Sequence, residues 1–501
     1  MNTKEKLVII GANEYQDKLV LKAKEMGYET HVFAWEEGAV AKPHADVFYP
    51  ISITDVEAID NVVELLHPAG IVSIGSDLAM PTVNTIAMRH GWVGNTAECT
   101  YITTNKYAMR ETLTLHGLPC PHYQKVSNFN ELNLKNILFP VIVKPLDRSG
   151  SRGVTLAHTI EELKQGLIYA QSVSFDTSVL VEEYIEGREF SVESISQKGN
   201  HNILQVTEKF TTNAPHFIER GHLAPARITH AQEKAIHEIV LKALEALSIE
   251  NGASHSELKI KPNGEIKIIE IAARMGGDFI GSDLVFQSTH YDFVANVIRV
   301  ACNQVIQQPI FTQCDSVCVG FIFDEKDLRS FQKVQTEYPN DILESHCSDK
   351  LQTVSDSSTR NGYFIMKLNP KTMNSIFKIM GFEDETKLTF QTTQNRVFLF
   401  ILVLFFSLAS LLSKLASNEQ LFSVSFFVYY GLILGILFVY ALGWQKVLKH
   451  TPLNIAYSYR SLLILWGMVW GLLFFQETLQ WNRVLGSLMV ILGLSWVNKD
   501  E

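Results

Sequence analysis

The chain has 501 residues, 47% of them hydrophobic and 19% charged, with a formal net charge of −10. That charge is unevenly spread: residues 396–501 carry seven Lys/Arg against four acids, a net of +3, which leaves −13 for residues 1–395. An acidic amino-terminal part repels phosphate backbones and argues against nucleic acid as a partner, and an apolar, basic tail argues against a purely soluble protein.

From the amino terminus, Leu7–Ile10 followed by Gly11-Ala12-Asn13 reads as a strand ending in a glycine turn. An amphipathic stretch over Leu19–Met26 and a second strand, Thr30–Ala34, complete a βαβ opening. Gly70–Asp77 repeats the pattern of strand then glycine, so residues 1–104 are expected to form a doubly wound α/β domain. Gly11 alone is no dinucleotide fingerprint. Asp77, at a strand's C-terminal end, is placed to touch substrate or to cap the next helix, and capping is the leading expectation. Six scattered cysteines without a CxxC pair point to reduced thiols in a reducing compartment rather than to zinc or disulfides.

A second unit, expected over 105–310, opens with a helix at Asn105-Lys106 that stops at Gly117. Val141–Pro145 is a strand with one lysine, Lys144, in an apolar run, where a bare ammonium is costly without an anion. Arg148–Gly153 follows, with Ser149, Gly150, Ser151 and Gly153 able to present N–H groups and hydroxyls to phosphate oxygens. Val179–Glu193 reads as strand, short linker, strand. Ala253–Ile260 and Ile266–Arg274 read as two strands joined by a Pro262-Asn263-Gly264 turn, a hairpin whose register can set Glu257 and Glu270 on one face. Two carboxylates there repel unless a divalent cation lies between them, and Mg²⁺, which takes oxygen ligands and holds nucleotide phosphates, suits the pair.

In this order the two lysines, the Gly/Ser loop, the Glu182-Glu183-Tyr184-Ile185 linker and the paired glutamates resemble the ATP-grasp superfamily, and within it the carboxylate–amine ligases such as L-amino acid ligases. The resemblance implies an ATP-grasp α/β fold over roughly residues 1–390, with ATP and Mg²⁺ as cofactors and a small-molecule carboxylate and amine as substrates. By that likeness Lys106 and Lys144 hold phosphates, with loop 148–153 closing over them. Glu182, Glu183, Tyr184 and Ile185 meet adenine, Glu189 binds ribose, Glu257 and Glu270 hold Mg²⁺, and Arg274 steadies the transferred phosphoryl group. The chain departs from the family at Glu270-Ile271-Ala272, where Glu-x-Asn is common, so a side-chain amide ligand is missing. His216, Glu219 and His222, in a polar stretch over 213–226, are candidates for substrate specificity or for a solvated loop. Met275-Gly276-Gly277-Asp278 is either a close approach to substrate or a turn.

Residues 311–390 read as short strands and a helix, a small subdomain packed on the ligase, with Gln391–Asn395 as the junction to the tail. Over 396–501 four apolar runs, 397–413, 421–443, 453–475 and 484–497, are expected to form a four-helix transmembrane bundle in contact with membrane lipid. Trp444, Trp481 and Trp496 fall near the run ends, as interfacial anchors do. Lys446, Lys449 and Lys499 set both termini and the ligase in the cytoplasm, at the inner membrane. The tail resembles the small multidrug resistance and aminoarabinose-flippase type of drug/metabolite transporter, but its first run lacks the membrane-embedded Glu of proton-coupled members. Four helices are few for a complete transport path, so an active membrane part is expected to be a homodimer. Arg460 is either an anion site or a snorkelling side chain. The leading expectation is a ligase tethered to a membrane domain that exports its product. The alternatives are a transporter with a nucleotide-sensing soluble part and a biotin-carboxylase-like carboxylase.

Overall fold

The computed structural model describes residues 4–148, 152–212, 217–310, 315–348, 350–369, 371–382, 385–448, 459–460, 462–476, 481 and 486. The chain divides into two compact units, Met1–Phe382 and Glu383–Glu501.

The amino-terminal layer is a parallel sheet of β1 (Lys6–Ile10), β2 (Glu29–Phe33), β3 (Val47–Tyr49) and β4 (Gly70–Val72) in the order β3-β2-β1-β4. β1 is buried along Leu7–Ile10, which is why it reads as an unbroken apolar run. The helices α1 (Glu14–Glu25), α2 (Val56–Leu66) and α3 (Met80–His90) accompany it. Asn13 caps α1 in a reciprocal box with Gln16, whose side-chain amide also donates to the Ile74 carbonyl at 2.5 Å. Gly11 takes φ +103°, so the chain turns between β1 and α1 where a side chain would be strained. The strand order reverses between β1 and β4, which leaves a crevice at their carboxyl ends.

Helices α4 (Ala97–Thr104) and α5 (Lys106–Leu115) lead to a small antiparallel sheet ordered β5-β8-β6-β7. Its strands are β5 (Tyr123–Val126), β6 (Val141–Pro145), β7 (Thr155–Ala157) and β8 (Val179–Glu183). Helix α6 (Ile160–Val173) closes one face, burying Leu163, Leu167 and Ala170 among Val141, Val143 and Val181.

The central sheet has eight antiparallel strands in the order β13-β12-β9-β10-β11-β14-β16-β15. They are β9 (Arg188–Gln197), β10 (Asn200–Thr211), β11 (Glu219–Ala224), β12 (Gly252–Ile260), β13 (Ile266–Ala272), β14 (Ser316–Ile322), β15 (Ile342–Cys347) and β16 (Gly362–Leu368). One face packs on α7 (His230–Ala246) through Phe190, Val192, Leu258, Ile268 and Val240. Beyond the hairpin, α8 (Val285–Thr289) and α9 (Phe293–Ala301) turn back, and Val297, Ile298 and Val300 join the core of the amino-terminal sheet. The same chain segment therefore serves two layers.

Three expectations need correction here. The polar stretch 213–226 contains β11, which pairs with β10 and β14 inside the sheet; a central antiparallel strand can carry polar residues on the face that lines a cavity. Residues 316–368 do not form a sheet of their own, because β14, β16 and β15 extend the central one, with α10 (Glu325–Glu337) and α11 (Met373–Met380) alongside. Gln391–Asn395 is not a linker: it lies inside α12 (Glu385–Ser417).

In the second unit, α12 and α13 (Val424–Leu448) are long and apolar enough to cross a membrane, over Phe398–Ser417 and Val424–Gln445. A shorter apolar helix spans Leu462–Phe475. Trp470 donates to the Ser407 hydroxyl at 2.9 Å and ties that helix to α12. Arg460 stacks over Trp444 with its guanidinium carbon 5.8 Å from the ring centre. Apart from Gly486, the fourth run lies outside the described residues, as do Lys449 and Lys499.

Candidate active site

Strand alternation builds the site. In β12, His255 and Glu257 point to one face and Ser256 and Leu258 to the other. Glu257 pairs directly with Glu270 of β13 and with Ser191 of β9, and a bulge between Glu257 and Leu258 sets the register that brings the two carboxylates onto one face. Lys209 of β10 lies on the same face. His255, Glu257, Glu270 and Lys209 line one cavity together with Lys106, Lys144, Arg148, Glu182–Ile185, Glu189, Glu219 and Arg274. Ile142, Val154, Tyr184, Ile185, Phe217 and Ile269 supply its apolar part. Ser149, Gly150 and Ser151 lie outside the described residues. Gly153 turns with φ +78°, where an added Cβ would meet Val173 and Pro145.

Lys106, Lys144, Lys209 and Arg274 are each met by a carboxylate, whereas Arg148 stacks on the Phe175 ring. Lys106, first residue of α5, lies 2.7 Å from Glu270 and donates to the Arg148 carbonyl at 2.8 Å. Lys144 lies 2.6 Å from Glu182, which also accepts from Arg110 Nε at 2.6 Å. Burial opposes charge on Glu182, but Arg110 and Lys144 outweigh it and hold the carboxyl below its ordinary range. Burial lowers Lys144, with Arg110 adding to the effect against the pull of Glu182. Glu182 is thus committed to Lys144 and Arg110 through its side chain, and with Glu183 it ends β8, so that only Tyr184 and Ile185 of the four lie in the linker to β9. The N–H groups of Glu183 and Tyr184 donate to the His122 and Pro140 carbonyls at 2.8 and 3.3 Å.

Glu189, expected at the ribose, lies 3.1 Å from Lys209 and 3.5 Å from Lys259. Glu257 lies 2.6 Å from Lys209 and 3.2 Å from His255 Nε2. Burial works against a charged His255, but Glu193 and then Glu257 push the imidazole up to about 9. His255 is also the cross-strand neighbour of Ala272, the position of the missing amide. Arg274 makes a fork to Asp77, Nε at 2.7 Å and Nη2 at 2.8 Å. Asp77 is therefore not a helix cap: α3 is preceded by Ala79 with no side-chain cap at all.

Other expected residues divide. Glu219 lines the cavity and lies 3.6 Å from Lys209. His222 is fully buried behind it, 3.7 Å from Asp278, and burial lowers its pKa. His216 lies outside the described residues. The Met275–Asp278 segment is a turn, with Asp278 and Phe279 at φ +52° and +62°, and it is pinned: Gly276 N–H donates to Glu193 at 2.9 Å. Asp278 accepts from Tyr15 at 2.8 Å and from Arg360 at 3.0 Å. Sequence reading missed Arg110, Lys209, His255, Glu193 and Arg360. Lys209 and His255 carried a readable signal, a charge inside an apolar strand and a histidine two residues from a candidate ligand; Arg110 and Arg360 carried none.

The donor set fits Mg²⁺ and a nucleotide. Glu257 and Glu270 offer oxygen only, at paired positions, and Mg²⁺ characteristically takes one or two carboxylates and completes its shell with phosphates and water. Consistently, no group of three or more His, Cys, Asp or Glu arranged for a metal occurs among the described residues. The five described cysteines are free thiols, and Cys314 lies outside the described residues.

Comparison with known proteins agrees with this geometry. Residues 137–283 match the ATP-grasp domain family. The chain is 27% identical over 287 residues to a formate-dependent phosphoribosylglycinamide formyltransferase of Bacteroides thetaiotaomicron, covering 52% of this chain and 71% of that one. It is 25% identical over 246 residues to the alanine–anticapsin ligase of Bacillus subtilis, covering 44% of this chain and only about half, 52%, of the relative. The fold matches an L-amino acid ligase from Bacillus licheniformis with a TM-score of 0.65 at 19% identity, over 76% of this chain and 98% of that one. The chain carries an ATP-grasp domain and is an enzyme of the ATP-grasp ligase type, using ATP with Mg²⁺.

Proposed function

From an ATP-grasp ligase as premise, we propose that the protein joins a small carboxylate to an amine, an amino acid being at least one of the two. The observation that carries this reading is the single cavity in which Lys106, Lys144 and Arg274 converge on the facing carboxylates Glu257 and Glu270. The relatives named alanine–anticapsin ligase and L-amino acid ligase support the substrate class.

In this reading ATP supplies the phosphoryl group that turns the carboxylate into an acyl phosphate, ADP departing, after which the amine takes the acyl group and phosphate leaves. The chain's own residues position and neutralise. Lys106 and Lys144 exchange their carboxylate partners for phosphate oxygens, and loop 148–153 covers them. Glu257 and Glu270, released from Lys209 and Lys106, hold Mg²⁺, with Ala272 contributing no ligand. Tyr184 and Ile185 flank the base and Glu189 takes the ribose hydroxyls. Arg274 faces the group in transfer. Such fixed charges stabilise a developing charge without reorganisation, and no activated nucleophile is required.

The second unit serves as a membrane anchor, with the ligase and both termini in the cytoplasm, the protein a homodimer in the inner membrane, and the product passed toward the bundle. Support for the anchor comes from two helices of sufficient length and the loop lysines; the export role rests on the sequence resemblance of the tail.

ADP release by the full-length protein in detergent, with ATP, Mg²⁺ and pairs of amino acids, tests the reading. Release is expected only with a productive pair and is expected to collapse in Lys144→Ala. Release that ignores the pair, or pair-dependent release that survives Lys144→Ala, overturns it. Release driven by bicarbonate instead marks a carboxylase.

A further inference from the structure

Asp77 and Arg274 come from different layers of the molecule and meet at one point. Asp77 follows the Gly75 turn, φ +63°, after β4, in the crevice where the strand order of the amino-terminal sheet reverses. Arg274 follows β13, two residues beyond Ala272. The carboxylate takes the Nε and Nη2 side of the guanidinium at 2.7 and 2.8 Å, and the Met275 carbonyl takes one proton of Nη1 at 3.1 Å. A guanidinium has five N–H donors in a rigid plane. Three are thereby engaged, which leaves one N–H on each of the two terminal nitrogens. Those two have no acceptor among the described residues, and Arg274 lines the nucleotide cavity. Parallel N–H groups at a guanidinium end are the arrangement that grips two oxygens of one phosphoryl group.

We propose that Asp77 is a positioning residue for Arg274: it fixes the plane of the guanidinium so that the free fork faces the phosphoryl group in transfer. The proposal rests on the ligase reading above. Without Asp77 the arginine keeps its charge but loses the contact that sets its rotamers, since the Met275 carbonyl holds only one nitrogen. Asp77 also lies outside residues 137–283, so the amino-terminal layer contributes to phosphoryl transfer through it. A role in domain docking alone would spend the whole guanidinium on protein acceptors, whereas here a cavity-lining arginine keeps one N–H on each terminal nitrogen without an acceptor among the described residues.

The test uses full-length protein in detergent, with three readouts. In Asp77→Asn, kcat for pair-dependent ADP release is expected to fall on the order of 10- to 100-fold, as misplacement of a catalytic group does, with KM for ATP within about twofold. The Kd for ADP is expected to stay within about twofold, while binding of ADP with aluminium fluoride, which mimics the group in flight, weakens by the same factor as kcat. Added to Arg274→Ala, Asp77→Asn is expected to cause no further loss, because a residue acting only through the arginine has nothing left to position. Should Asp77→Asn fail to fold, Asp77→Glu, which keeps the charge but moves it by one methylene, carries the same expectations. Wild-type kcat and mimic binding in the variant overturn the proposal, as does a further loss in the Arg274→Ala background or an equal loss of ADP binding. A wild-type protein that binds ADP but shows no pair-dependent release overturns the ligase reading instead.

Discussion

Arg110 is a fully buried arginine whose value lies in the charge it balances. It sits in α5, donates to Glu182 at 2.6 Å and to the Ile269 carbonyl at 2.5 Å, and so holds the carboxylate that in turn holds Lys144. Removing one partner of a buried ion pair strands the other, at a cost of about 3–5 kcal/mol. Arg110→Met is accordingly expected to lower the unfolding free energy by about that much in urea and to weaken ADP binding, because Glu182 then draws on Lys144 alone. Glu182→Gln added to Arg110→Met is expected to deepen the loss, since Lys144 is then left as a buried cation without its carboxylate. Asp278 offers a pH test. Burial opposes its charge, but Arg360 and His222 hold the carboxyl well below the ordinary 3.8. A depressed acid stabilises the fold fully above its unfolded value and loses that contribution as pH falls toward the folded one. Melting temperature should therefore drop steeply below about pH 4 in the wild type and less steeply in Asp278→Asn. At this scale legibility followed physical cost. A lysine in an apolar strand demands an anion, and Lys144 has one, although it is a neighbouring carboxylate before it is a phosphate. Asp77 was misread because a strand-end aspartate before a helix is the usual cap, and only tertiary structure brings Arg274 to it.

Hairpins and turns carry the next level. The β12–β13 hairpin was readable from its turn, but its register at the site was not: the turn opposes Leu258 to Ile268, and a bulge between Glu257 and Leu258 then shifts the pairing by one residue, so that Glu257 meets Glu270. β11 was not readable. Its six residues, Glu219–Ala224, mix charged, small and apolar groups without alternation, which outside a sheet is the pattern of a loop; the strand is stabilised by Glu208–Thr211 just upstream and by Val317–Gly320, far along the chain. The linker between β8 and β9 makes a further prediction. Gly187 adopts φ +145°, and a Cβ there would press on the Ile260 carbonyl at the end of β12. Gly187→Ala combines a strained backbone with a contact against rigid main chain, so a loss of about 1–3 kcal/mol is expected. Because the linker also flanks the nucleotide cavity, Kd for ADP should rise in the same variant, which calorimetry would read. A wild-type melting temperature and ADP affinity would show that the turn relaxes without the glycine.

The whole chain separates into an acidic enzyme and an apolar tail, a division visible in the charge distribution but not correctly placed by it. Composition changes near residue 396, where the first long apolar run begins, yet the structural boundary lies at Phe382, because α12 begins with the charged and polar turns Glu385–Asn395 before its apolar stretch. Thirteen further residues, 383–395, therefore belong with the tail. α13, with 25 residues, extends about 37 Å at 1.5 Å per residue, against about 30 Å of hydrocarbon. The helix Leu462–Phe475, with 14 residues, reaches only about 21 Å. Anchoring by α12 and α13 gives the final prediction. A chain ending at Phe382 retains all three sheets and every candidate site residue, so it is expected to remain in the supernatant after ultracentrifugation of lysates and to bind ADP as the full chain does. A chain ending at Ser417 keeps one spanning helix and is expected in the membrane pellet, resistant to alkaline carbonate, which strips proteins held only by surface charge. Cutting at Asn395 instead leaves the first turns of α12 without the apolar stretch that buries them in lipid, and that fragment should also be soluble. Full-length protein extracted by carbonate would show that the apolar helices pack on protein rather than lipid, and the tail would then be an association surface in place of an anchor.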